Sequence, residues 1–155
     1  MFRVENIESP RSGRPVANQF KVVMDATVGR VILFQSYSTP IAMTVCHNVH
    51  NTMYYIATSE RYSVTTSKYQ KVFYKKYGKS IVRQYSVSNF SEWLEAIHNP
   101  ALFNALLLQE RERKCKQRQL HYIAFLNYQN KHKTGRHINI KTSCKISMRK
   151  TPMIF

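Results

Sequence analysis

The sequence predicts an α+β fold in which a small antiparallel sheet meander precedes helices. Apolar residues alternate with polar ones before Arg61, which is the period of strands, and recur at three- and four-residue steps afterwards, which is the period of helices. Hydrophobic residues make up 43% of the 155 residues, enough to build a core. We therefore expect an α+β core domain, residues 1–98, and a helical and basic C-terminal extension, residues 99–155.

The sheet is predicted to contain about four short antiparallel strands. Residues 25–29 form the expected turn between the first two strands, and Pro40 interrupts the pattern before the third. The segments with alternating or continuous apolar side chains are residues 20–24, 31–37, 41–45 and 53–57.

The first helix is predicted to begin at Ser63, whose hydroxyl can cap a backbone amide, and to end at Gly78. Its buried stripe consists of Tyr69, Val72, Phe73 and Tyr77. Another face of the same helix carries Lys68, Lys71 and Lys75. Lys79 would extend this row if the helix did not end first.

Two further helices are predicted. The second begins after Asn89, which forms an approximate capping box with Glu92, and ends before Pro100. The third begins at Pro100, with Asn99 as its cap. Near the end of the chain, residues 138–148 alternate between apolar and polar side chains, which fits either a strand or a cationic tail.

Charge is concentrated at one end of the chain. Lys and Arg number 24 against eight Asp and Glu, a net charge of +16. Residues 1–112 contain 13 basic and eight acidic side chains, whereas residues 113–155 contain 11 basic and no acidic ones. Nucleic acid is the commonest partner of proteins with such a charge, so we expect a nucleic-acid partner.

Dispersed short motifs between residues 9 and 74 resemble those of a family of small uncharacterised bacteriophage proteins. The residues that carry the resemblance are Ser12, Gly13, Arg14, Val16, Asn18, Gln19, Phe20, Phe34, Gln35, Ser36, Tyr37, Ile41, Ala42, Tyr62, Ser63, Thr65, Thr66, Lys68 and Tyr69. The resemblance implies a phage origin, action in the host cytoplasm, a sheet-then-helix core and no assigned catalytic residues. The long basic segment after Asn99 departs from the family pattern.

The predicted function is a phage accessory protein that binds RNA or single-stranded DNA. Between Arg61 and Tyr85, basic and aromatic residues alternate without an acid, and exposed rings there could stack on unpaired bases. A second basic cluster follows Glu112 and would anchor phosphates without sequence preference. The predicted binding residues are Arg61, Lys68, Lys71, Tyr74, Lys75, Lys79, Arg113, Lys114, Lys116 and Arg118.

Two other functions stay open. The first is an inhibitor that binds a host or defence protein, for example at that protein's nucleic-acid site. The second is a two-histidine phosphoesterase, because His50-x-Thr52 and His132-x-Thr134 resemble the paired elements of that class. Lys131 and Gly135 flank the second element where a strand should be, so we expect no enzyme.

The sequence indicates neither a metal or cofactor site nor a targeting signal. Cys46, His47 and His50 lack a second ligand pair at zinc spacing, and four Gly leave little for a phosphate-cradling loop, so we expect no metal and no cofactor. Three scattered Cys fit a reducing compartment. The absence of a long apolar run predicts a cytosolic protein without a membrane partner. The oligomeric state is not predicted.

Overall fold

The computed structural model describes residues 1–49 and 51–134, with side chains up to residue 129. Within this part of the chain, six strands form one sheet in the order β1-β2-β3-β4-β5-β6. They are β1 (Phe2–Glu8), β2 (Pro15–Ala26), β3 (Gly29–Ser36), β4 (Thr39–His47), β5 (Thr52–Thr58) and β6 (Arg83–Val87). The first five form an antiparallel meander, and β6 pairs with β5 in parallel. The predicted α+β class is confirmed.

Three helices accompany the sheet and begin where the sequence predicts, but the predicted capping box of the second is wrong, because the Asn89 side chain makes no capping hydrogen bond. They are α1 (Val64–Phe73), which continues into a π-helical turn (Tyr74–Gly78), α2 (Phe90–Ala96) and α3 (Pro100–Thr134). Ser63 Oγ accepts the Thr66 N–H at 3.2 Å and caps α1. Asn99 Oδ1 likewise accepts the Leu102 N–H at 3.2 Å at the start of α3.

Two strands, β1 and β6, are absent from the sequence prediction. β1 lies at an edge of the sheet and buries one residue, Ile7, so it lacks an alternating apolar pattern. β6 is five residues long, and its buried residues are Tyr85 and Val87. Because parallel strands need a crossover, α1 and the π turn connect β5 to β6 across one face of the sheet.

Both faces of the sheet are covered by helices. On one face, Tyr69 and Phe73 of α1 pack with Phe34 and Tyr55. On the other face, α2 and the first turns of α3 pack against β5, and Tyr54 meets Phe103 edge to face. Because both faces are covered, residues 41–45 are all buried instead of alternating between buried and exposed, and all of them except Thr44 are apolar.

The chain divides into two compact units, Met1–Arg111 and Glu112–Phe155. The predicted boundary lies earlier, between residues 98 and 99. The difference arises because Phe103, Leu106 and Leu107 belong to the core of the first unit. The predicted alternating segment, residues 138–148, lies outside the described residues. None of the described helices has the length and apolar character that crossing a bilayer requires.

Candidate nucleic-acid interface

A groove of about 890 Å³ runs along α1 and the π turn. Its basic side chains are four lysines, and the residues around them are small, apolar or aromatic. We call it the lysine groove and define it by Pro10, Tyr62, Val64, Ser67, Lys68, Lys71, Val72, Lys75 and Lys76. Three of the predicted binding residues, Lys68, Lys71 and Lys75, therefore line one cavity.

Helical spacing brings these side chains to one face. Counted from Lys68, the lysines and Val72 follow at three, four, seven and eight residues, which is the repeat of a single helix face. Val64 lies one turn earlier on that face and is 88% exposed. Lys76 is not one of the predicted binding residues. Its position four residues after Val72 nevertheless places it on the same helix face.

Most of the positive charge of the lysine groove has no balancing carboxylate among the described residues, although Lys76 interacts electrostatically with Glu5. Among the described residues, no carboxylate lines the groove and no ion pair involves its four lysines. Lys68 Nζ lies 5.4 Å from the centre of the Tyr69 ring. Like charges three or four residues apart destabilise a helix by a few tenths of a kcal/mol per pair, about 0.2–0.5. A polyanion bound there would remove this repulsion.

The aromatic side chain in the groove is Tyr62. It is half-buried, and its hydroxyl donates a hydrogen bond to Glu60 Oε2 at 3.1 Å. Burial raises the pKa of the Tyr62 phenol above its ordinary value, so the ring stays neutral at physiological pH. A neutral ring beside ammonium groups can stack on a base without repelling phosphates.

A buried polar network fixes the start of α1 to the sheet. Gln19 Nε2 donates to Ser36 Oγ at 2.9 Å, and Ser36 Oγ lies 3.0 Å from Thr66 Oγ1. Ser63 Oγ donates to Thr66 Oγ1 at 3.1 Å. These four residues belong to the three separate motifs that resemble the phage family. The motifs therefore meet at one point, where they set the position of the helix that carries the lysine groove.

A smaller cavity of about 380 Å³ adjoins the lysine groove and shares Pro10, Val72 and Lys76 with it. Its charges are balanced, because Glu5 forms ion pairs with both Arg3 and Lys21. The hydrogen bond from Lys21 lowers the pKa of Glu5, and the same bond raises the pKa of Lys21. The two cavities therefore differ in electrostatic character.

Three predicted residues of the same segment do not line the groove, as far as the described residues show. Arg61 is exposed just before α1. Lys79 is exposed beyond the π turn, where its N–H donates to Tyr74 O, five residues back. Tyr74 faces the sheet: its ring meets Tyr55 edge-on at 5.2 Å, and its hydroxyl donates to Gln84 Oε1 at 3.2 Å.

The second predicted cluster lies on α3, in the second compact unit. Its arginines and Lys116 are exposed, and Lys114 is half-buried. The cluster consists of Arg113, Lys114, Lys116 and Arg118. These side chains form a separate basic segment of the helix.

The residues considered for catalysis or metal binding do not form a described site. His50 and the side chain of His132 lie outside the described part of the chain. His47 is buried, and its Nδ1 accepts the Val49 N–H at 3.3 Å. No three potential metal ligands cluster among the described residues, and Cys46 and Cys115 are exposed free thiols.

Comparison with known proteins gives one match. The model of a family of unknown function, DUF8033, matches residues 5–89, which is more than half of the chain. This range contains the meander from Glu5 onwards, α1, the π turn and β6, and therefore the whole lysine groove. No curated protein and no solved structure matches the chain.

Proposed function

The chain belongs to the DUF8033 family of unknown function, and we propose that it binds single-stranded nucleic acid, RNA or DNA, in the lysine groove. The observation that supports the proposal is the groove itself, whose lining, as far as the chain is described, holds four lysines, no carboxylate and an apolar part that includes the Tyr62 ring. Lysines of this kind contact phosphates and release counterions. The apolar floor offers a surface to bases.

The shape of the groove favours a single strand over a duplex. From Lys68 to Lys76 the helix rises by about 12 Å, so its ammonium groups can follow several successive phosphates. Val64 and Val72 provide apolar contact, and Tyr62 provides a ring. Only unpaired bases can use such surfaces, since paired bases are stacked inside the duplex.

The remaining features fit a supporting role. The basic cluster Arg113–Arg118 would add affinity without sequence preference, because phosphate contacts position a protein but do not specify bases. The resemblance to small bacteriophage proteins supports an accessory function in the host cytoplasm. The proposal assigns no catalytic residue.

Salt dependence tests the proposal. If the groove contacts four phosphates of a single strand, log affinity should fall with log salt at a slope of about −3 from the groove alone. Binding of a fluorescein-labelled oligonucleotide of about 12 nucleotides can be followed by anisotropy. Lys68→Gln with Lys71→Gln should make the slope shallower by about 1.4.

A matched double variant serves as control. Arg61→Gln with Lys79→Gln removes two charges from the same segment but outside the groove lining, so its slope should stay closer to that of the unaltered protein. The proposal is wrong if the two double variants lose the same slope, or if affinity does not change with salt.

A second candidate function is binding of a host or defence protein. The observation that favours it is the apolar part of the groove lining, which could contact a partner and consists of Pro10, Tyr62, Val64 and Val72. A pull-down from nuclease-treated lysate separates the two functions. An inhibitor keeps a stoichiometric protein partner after nuclease treatment, whereas a nucleic-acid binder loses the material that co-purifies with it.

A further inference from the structure

Arg83, which the sequence groups with the lysine face, lies elsewhere in the fold. It begins β6 and pairs in register with Tyr54, whose side chain belongs to the core on the α2 and α3 side of the sheet. The helix α1 packs on the opposite side. Arg83 and Arg111 line a third cavity, of about 500 Å³, together with Thr52, Asn104, Leu107 and Leu108. We call it the arginine pocket.

The guanidinium of Arg83 is held in a defined orientation. Its Nη1 donates to the Tyr54 hydroxyl at 3.1 Å, and its central carbon lies 5.7 Å from the centre of the Tyr54 ring. Tyr54 is 1% exposed, so its ring and hydroxyl form a rigid support. This contact limits the rotation of the Arg83 guanidinium. The side chain is otherwise exposed, so its other nitrogens can still donate hydrogen bonds to a ligand.

The two arginines have no balancing carboxylate among the residues that the structure describes. Within the described part of the chain, the pocket lining contains no acid, and neither Arg83 nor Arg111 takes part in an ion pair. A guanidinium stays charged at all physiological pH values and offers donors in a planar fork that matches phosphate oxygens. Thr52 and Asn104 add polar groups, and Leu107 and Leu108 add an apolar wall.

We propose that the arginine pocket binds a phosphate monoester, carried either by the end of a nucleic-acid strand or by a free nucleotide. The two guanidinium groups would hold the dianion, and the leucines would contact the attached sugar or base. The lysine groove offers amines along a helix for chain phosphates, whereas this pocket offers two forks for one terminal phosphate. The site does not depend on the proposed function of the groove.

The test compares ligands with and without the phosphate, using the full chain. Anisotropy measures binding of 3′-labelled oligonucleotides that carry either a 5′-phosphate or a 5′-hydroxyl, and calorimetry measures adenosine monophosphate against adenosine. We expect the phosphate to tighten binding by about tenfold in at least one pair, since hydrogen bonds to charged groups are stronger than those between neutral groups. Tighter binding of the 5′-phosphorylated oligonucleotide would show that the pocket binds strand ends. Tighter binding of adenosine monophosphate alone would show that it binds a free nucleotide.

Arg111→Gln should reduce the preference to less than about twofold. Arg14→Gln removes the same charge from an exposed position that lines neither cavity, and should leave the preference unchanged. Arg83→Gln also breaks the contact with Tyr54, so Arg111→Gln is the decisive variant. Equal binding of both members of both pairs, or a preference that survives Arg111→Gln, overturns the proposal. Lys68→Gln with Lys71→Gln should weaken both oligonucleotides alike, which separates a failure of the groove from a failure of this pocket.

Discussion

Gly78 lies against the ring of Tyr55, so that a β-carbon at Gly78 would stand 2.6 Å from Tyr55 Cδ2. The ring of Tyr74 is nearly as close, at 2.8 Å from the same point. Gly78 ends the π turn that carries Lys75 and Lys76. This contact therefore holds the end of the lysine groove's helix against the sheet.

Replacing Gly78 with alanine should destabilise the protein. Alanine normally stabilises a helical position by about 1 kcal/mol over glycine, but here its methyl group would overlap two packed rings. Overpacking of this kind costs about 1–3 kcal/mol, which lowers Tm by roughly 2–12 °C. Thermal unfolding followed by circular dichroism measures the effect. Ser80→Ala, at an exposed position nearby, is the control and should leave Tm almost unchanged. An unchanged or higher Tm for Gly78→Ala would show that the rings move aside.

Thr66 joins α1 to the sheet, so its hydroxyl should matter more than that of its neighbour. Thr66→Val keeps the shape but removes the hydroxyl that contacts Ser36 and Ser63. The buried Ser36 hydroxyl then retains only its hydrogen bond from Gln19 within this network, which should cost about 1–3 kcal/mol. Thr65→Val makes the same chemical change at an exposed position and should cost little. Chemical denaturation measures both. Equal stabilities would mean that water replaces the Thr66 hydroxyl at no cost.

The sequence predicts the local features of the fold well because they depend on neighbouring residues. Ser63 and Asn99 cap their helices as expected, since a cap needs only a side-chain oxygen three residues before a backbone amide. The row from Lys68 to Lys75 follows from helical spacing. The π turn was not predicted, because it requires a hydrogen bond to the fifth preceding residue, which Gly78 and its packing against Tyr55 permit.

Features that depend on distant residues could not be predicted. Pro10 reaches the lysine groove from the connection between β1 and β2, far from α1 in sequence. The sequence predicts that Tyr74 stacks on a base, but its hydroxyl donates to Gln84 and its ring packs on Tyr55. Arg83 follows the lysines closely in sequence, yet β6 carries it to a different pocket. Only the sheet topology determines these positions.

The ion pair between Glu5 and Lys21 should contribute stability that depends on pH. The pKa of Glu5 is lowered in the folded protein from an ordinary value of 4.5, chiefly by the hydrogen bond from Lys21. Its contribution is therefore fully present above about pH 4.5 and is lost as the pH falls through the lowered pKa. Lys21, whose pKa is raised, keeps its contribution up to its ordinary value of 10.5 and loses it at higher pH.

The expected result is that Glu5→Gln lowers Tm at neutral pH and that the difference from the unaltered protein shrinks towards about pH 3. Glu8→Gln is the control, because Glu8 is an exposed acid on the same strand that forms no ion pair within the described residues. Scanning calorimetry at several pH values gives both differences. If the difference in Tm between Glu5→Gln and the unaltered protein stays constant with pH, the ion pair adds nothing to stability.

The ring of Tyr62 should contribute to binding of a single strand in a way that its hydroxyl does not. Stacking of one base on an aromatic ring contributes about 1–3 kcal/mol, and a half-buried ring should lie near the lower limit, so Tyr62→Ala should weaken binding about fivefold. Tyr62→Phe keeps the ring and loses the hydrogen bond to Glu60, and should retain most of the affinity. Anisotropy with single-stranded and duplex oligonucleotides of the same sequence distinguishes stacking from loss of structure, because stacking affects the single strand alone. If Tyr62→Ala weakens both ligands equally, or if Tyr62→Phe is as weak as Tyr62→Ala, then the ring does not stack and the lysines alone account for the affinity.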